Sequence, residues 1–119
     1  MYIVVMTIPV LHEQKNAYRQ WTEKSAKVLQ TYGCLRIEEV WGDWIPEGKL
    51  TDFNKAVQAK SGENIVIQWQ YWPSKEVLLE AEEHMQKGDA FSTNIEPPFE
   101  GKRLIAGGFT TFFSMSSEQ

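Results

Sequence analysis

Residues 64–72 read Asn64-Ile65-Val66-Ile67-Gln68-Trp69-Gln70-Tyr71-Trp72. Side chains alternate along a strand, so Ile65, Ile67, Trp69 and Tyr71 take one face and Val66, Gln68, Gln70 and Trp72 the other. Both sets hold large apolar groups. A sheet that is apolar on both faces has to be covered twice. Pro73 closes the strand, and Ser74 is a helix N-cap residue. Leu78, Ala81 and Met85 then fall on one helical stripe, flanked by Val77 and His84, which predicts a helix over 75–87 stopped by Gly88.

Upstream, residues 2–8 are β-branched and apolar and read as a central strand, with Pro9 as its expected end. Tyr18, Trp21, Ser25, Val28, Leu29 and Tyr32 recur at steps of three and four, predicting a helix over 13–32 with Gly33 as its stop. In residues 35–44, Leu35, Ile37 and Trp41 share one parity while Val40 and Trp44 share the other. A β-bulge near Glu38-Glu39 would reconcile them. Pro46 to Lys49 reads as a turn, and Thr51-Asp52 as the cap of a helical turn over 53–59. Downstream, 89–103 reads as a loop. A last strand over 104–113 is expected to kink at Gly107-Gly108, and 114–119 reads as a flexible tail.

The order is β-α-β-β-α-β, the ferredoxin-like α+β arrangement: a four-stranded antiparallel sheet with two helices on one face. Two helices cover one face, so the other is expected to pack against a second copy, giving a homodimeric α/β barrel. The 119 residues fit a single domain over 1–113 followed by the tail. Fifteen aromatics, 5 Trp, 4 Tyr and 6 Phe, exceed what a one-sided core of this size needs and point the same way.

Charge and cysteine usage narrow the function classes. Lys and Arg number 12 against 16 Asp and Glu, for a net charge of −4. Nucleic-acid backbones and anionic membranes attract basic proteins, so neither is an expected partner. Cys34 is the single cysteine, which excludes an intrachain disulfide. The apolar N-terminus lacks a basic region and a cleavage site, and no stretch reaches 18 apolar residues, so the expected location is cytoplasmic.

Catalytic spacings are sparse. His12, His84 and Cys34 lie far apart in sequence and suggest no metal site. Glu38 and Glu39 are adjacent on a strand and point to opposite faces, so they cannot form a dyad. Ser25 and Cys34 have no His or Asp partner suggested by position. Gly107-Gly108 lacks the strand–loop–helix context of a phosphate loop. Gln68 and Gln70 are expected at the barrel interface, each needing a hydrogen-bond partner. His84 reads either as a hydrogen-bonded structural histidine or as an acid, base or haem ligand facing a cavity. Asp52 reads as a cap or as a pocket-rim acid, and Arg103 as half of a solvated pair with Lys102 or as a carboxylate holder. An aromatic-walled pocket between sheet and helices, lined by Trp69, Tyr71, Trp21 and His84, is the expected ligand site.

The blocks Gly48-Lys49-Leu50-Thr51-Asp52-Phe53 with Ala56-Val57, Trp72-Pro73-Ser74-Lys75-Glu76, and Pro98-Phe99-Glu100-Gly101-Lys102-Arg103-Leu104-Ile105 with Gly107-Gly108-Phe109 are distinctive. Over nearly the whole chain they resemble the YbaA-like family of small bacterial proteins. The resemblance implies the ferredoxin-like fold and the dimeric barrel, and it carries over no activity. The chain departs from the family pattern at Trp44 after Asp43, at Asp89-Ala90-Phe91 and at Ala106, so a pocket built there would differ. The expected function is binding of a small apolar or carboxylate ligand without a cofactor. The alternative is a cofactor-independent monooxygenase-like or haem-handling enzyme.

Overall fold

The structure, a computed structural model, describes residues 1–87 and 97–117. Its elements are β1 (Tyr2–Leu11), α1 (Lys15–Thr31), β2 (Arg36–Trp41), a single turn α2 (Phe53–Ala56), β3 (Glu63–Trp72), α3 (Lys75–Gln86) and β4 (Ile105–Thr110). All pairings are antiparallel, in the order β2-β3-β1-β4. The expected ferredoxin-like α+β topology is therefore present. The expected stop at Gly88, and the part of the loop at 89–96, fall outside the described residues, as do 118–119.

Residues directly opposite in an antiparallel pair share a face. The register Val4↔Gln70↔Ile37 and Ile8↔Val66↔Trp41 therefore defines one face, and Ile3↔Tyr71↔Arg36 with Val5↔Trp69↔Glu38 the other. The first face lies under α1 and α3. Trp72, wholly buried, packs there with Leu29, Cys34, Leu78 and Ala81, and Ile8, Val10 and Val66 pack with Tyr18. Burial of this kind is what truncation of a core Trp or Ile to Ala measures, at about 2–5 kcal/mol each.

Several local expectations change. β1 continues through Pro9 to Leu11. The Ile65 carbonyl accepts from Gly42 N–H on the β2 side. Ile65 and Pro9 are thus a non-hydrogen-bonded pair, and Pro9 turns its missing N–H toward the β4 side, where pairing has already ended at Thr7↔Ile105. β2 pairs without interruption from Arg36 to Trp41, so there is no bulge at Glu38-Glu39. β4 likewise keeps register through Gly107 and Gly108 and stops at Thr110 rather than kinking and reaching 113. Gly108 is needed for another reason: a Cβ there would sit 2.1 Å from the Tyr2 hydroxyl. Gly33 ends α1 at φ +112, a left-handed geometry suited to glycine.

The glutamines lie under the helices, opposite to their expected place at a barrel interface. Trp72 Nε1 donates to Gln70 Oε1 at 3.0 Å, and Gln70 Nε2 donates to Gln68 Oε1 at 2.6 Å. This chain satisfies buried polar groups within the core, as burial requires. On the other face, Ile45 and Phe53 of the β2–β3 connection line a cavity of about 170 Å³ together with Ile65 and Ile67. The rest of that face carries Ile3, Val5, Trp69 and Tyr71 half-exposed, with Val40, Ile105 and Phe109 exposed.

Candidate functional site

A polar cluster meets an apolar wall between α1 and β2. On α1, Tyr18 and Arg19 lie three and four residues after Lys15, and Thr22 lies four and three residues after them, so the four share a stripe. On β2, Glu39 and Trp41 share the helix-facing parity. The Tyr18 hydroxyl donates to Glu39 Oε1 and the Thr22 hydroxyl to Glu39 Oε2. Lys15 Nζ stands 4.9 Å above the Trp41 ring. A cavity of about 520 Å³ opens beside these groups, with Val66 in its lining. That volume lies within the range of small-molecule pockets, roughly 300–1,000 Å³.

The electrostatics follow from the placement. Tyr18 is buried, and its ring packs on Trp21 and Phe99, each centroid 5.8 Å away. Burial first, and the adjacent Glu39 charge second, push its phenol well above the ordinary tyrosine range. Tyr18 is therefore a permanent donor at neutral pH. A carboxylate has about four lone-pair positions, and the two hydroxyls use two. Glu39 can accept further hydrogen bonds from a molecule in the groove.

The residues expected to line a helix–sheet pocket do not meet. Trp69 and Tyr71 face away from the helices, with Arg36 5.6 Å above the Tyr71 ring. Trp21 stands behind Tyr18, edge-on to Phe99 at 5.2 Å. His84 lies flat on Tyr32, centroids 5.0 Å apart and planes at 10°. Asp52 is the N-cap of α2: its carboxylate accepts from Lys55 N–H at 2.7 Å and Gly48 N–H at 3.0 Å. Those backbone bonds hold its carboxyl below the usual carboxylate range.

Arg103 does hold a carboxylate bidentately, that of Glu63 in its own chain, at 2.8 and 2.7 Å. It also donates to the Gln58 carbonyl at 3.0 Å. Among the described residues no three His, Cys, Asp or Glu side chains gather as a metal site.

Sequence reasoning missed Glu39. Its signal was the parity of Leu35, Ile37 and Trp41, which continues through position 39 when no bulge intervenes. A carboxylate on the buried face of a strand requires partners from the covering helix, and Tyr18 and Thr22 supply them.

The comparisons with known proteins agree with this fold. The chain is similar to a crystal structure of a mutant of MhuD with two manganese protoporphyrin IX molecules bound per active site, at a TM-score of 0.66 and 12% identity, covering 98% of this chain and 100% of that one. At that identity the likeness shows the fold alone, the ferredoxin-like one. The chain is also 39% identical over 109 residues to the uncharacterised protein YbaA of Escherichia coli K12, covering 91% of this chain and 93% of that protein. It matches YbaA of Shigella flexneri with the same figures. The model of the protein of unknown function family DUF1428 matches residues 1–101. The chain, related to YbaA across most of its length, therefore belongs to the DUF1428 family of proteins of unknown function.

Proposed function

We propose that the protein is a homodimeric small-molecule-binding protein whose ligand sits in the groove between α1 and β2. The observation that carries the binding reading is Glu39, a partly buried carboxylate held by two hydroxyls and bordering a cavity of about 520 Å³. Preorganised polar groups on an apolar wall are the usual construction of a ligand site. The monooxygenase-like or haem-handling alternative would bring His84 against the bound molecule. His84 instead stacks on Tyr32, so the residues that converge favour the groove. A thermal-shift screen of small molecules on native protein and on Glu39→Gln tests this. Stabilising compounds are expected to lose their effect in the variant. Compounds that stabilise both proteins equally refute the placement.

The uncovered sheet face supports the dimer. Trp69, Tyr71, Ile3, Val5, Val40, Ile105 and Phe109 form an apolar surface of the kind that marks an interface. The chain continues beyond β4 with Phe112 98%, Phe113 75% and Met115 84% exposed, side chains that a second copy would cover. Light scattering is expected to give twice 13.8 kDa. Trp69→Asp is expected to shift it toward the monomer while circular dichroism stays native. A native monomer at micromolar concentration overturns the dimer.

A further inference from the structure

We infer that the groove takes a para-hydroxylated aromatic carboxylate, with its hydroxyl on Glu39 and its carboxylate on Lys15; this deepens the reading of the groove as a ligand site and rests on it. Three features of the groove select that chemistry. At the inner end, Glu39 has two occupied and two free lone-pair positions and bears a negative charge. It accepts from a donor and repels an anion. A ligand hydroxyl meets that requirement.

At the outer end, Lys15 places its ammonium over the Trp41 ring. Among the described residues it has no carboxylate within ion-pair distance, whereas Arg19 is already paired with Glu23 at 3.2 Å. Of the two cations lining the groove, Lys15 is thus the one without a carboxylate partner. Between the two ends, Trp41, Tyr18 and Val66 form an apolar wall that suits a flat ring.

The backbone spacing sets the scale of the ligand. Glu39 and Trp41 stand two residues apart on one face of β2, about 6.8 Å along a strand. Lys15 lies three residues before Tyr18, about 4.5 Å along the axis, and reaches the Trp41 end while Tyr18 reaches Glu39. A donor and an anion on opposite sides of one benzene ring stand apart on this scale. Placed ortho they would crowd one end of the groove, and an aliphatic hydroxy acid would leave the ring wall unfilled.

Isothermal titration calorimetry of the full chain with 4-hydroxybenzoate, 2-hydroxybenzoate, benzoate and phenol tests the inference. Binding of 4-hydroxybenzoate is expected to be at least tenfold tighter than that of the other three. Glu39→Gln is expected to bring 4-hydroxybenzoate down to the level of benzoate without weakening benzoate, and Lys15→Met to bring it down to the level of phenol. The comparison on the native protein decides the matter even if Glu39→Gln folds poorly. Equal affinity for benzoate and 4-hydroxybenzoate overturns the inference, and so does a preference that survives Glu39→Gln. If none of the four binds while the thermal-shift screen finds a Glu39-dependent ligand, the inference fails and the groove reading stands. If nothing binds in a Glu39-dependent way, both fail.

Discussion

Substituting Glu63 by Gln removes the charge that Arg103 was built around. Both side chains are nearly enclosed, 12% exposed for Arg103 and 8% for Glu63. Removing one partner of a buried ion pair costs about 3–5 kcal/mol. Here the guanidinium retains Glu100 at 3.3 Å and the Gln58 carbonyl at 3.0 Å, and the glutamine oxygen can still accept one bond. The expected loss is therefore about 2 kcal/mol, below the range for a fully orphaned charge. At about 4 °C per kcal/mol for a chain of this length, the melting temperature should fall about 8 °C.

The pH dependence carries a sign. The hydrogen bond from Arg103 holds the Glu63 carboxyl below its ordinary value of 4.5. A folded-state value below the unfolded one means the stabilisation is fully present above about pH 4.5. It is lost as pH falls through the folded value. Urea unfolding of native protein and Glu63→Gln, followed by circular dichroism, should show a gap that is constant from pH 6 to 8 and closes below pH 4. A gap under 0.5 kcal/mol at pH 7 would show that the pair stabilises nothing, and a gap that widens in acid would show the linkage to be reversed.

Gly108→Ala should cost about 1–3 kcal/mol by overpacking against the Tyr2 ring, and Tyr2→Ala in the same chain should make the alanine tolerable. Additive losses in that cycle, measured by urea unfolding, would contradict the contact. Gln70→Leu leaves Trp72 Nε1–H and Gln68 Oε1 buried without their partner, for an expected loss of about 3 kcal/mol. A neutral urea midpoint would mean that water or another group replaces the amide. Burial raises the Cys34 thiol above its ordinary value, so in native protein it should react with a disulfide reagent far more slowly than after denaturation. Equal rates would mean that the face around Trp72 opens readily.

Much of the fold was legible in the chain. The period-two run at 64–72, the three-four stripe of Tyr18, Ser25 and Leu29, and the caps Asp52 and Ser74 each specify an element through local backbone and side-chain geometry. Their order then leaves few topologies. The candidate site was not legible: Trp21 packs on Phe99, Asp52 caps a turn, and Trp69, Tyr71, His84 and Arg103 are committed elsewhere, so none of the six lines the groove.

Alternation divides Trp69 and Tyr71 from Gln68, Gln70 and Trp72. It does not say which set meets the helices, because both carry aromatic bulk. Tertiary structure decided that: the wholly buried Trp72 and the Gln70–Gln68 hydrogen-bond chain fill the helix side, where polar atoms must be paired. It also decided the fate of Glu39, whose place on the covered face depends on Tyr18 and Thr22 from another element. The sequence by itself determined the elements, their order and the two-sided character of the sheet, since these arise from contacts within a few residues. The groove, the internal Glu63–Arg103 pair and the uncovered sheet face depend on which distant side chains meet, and only the packed chain sets that.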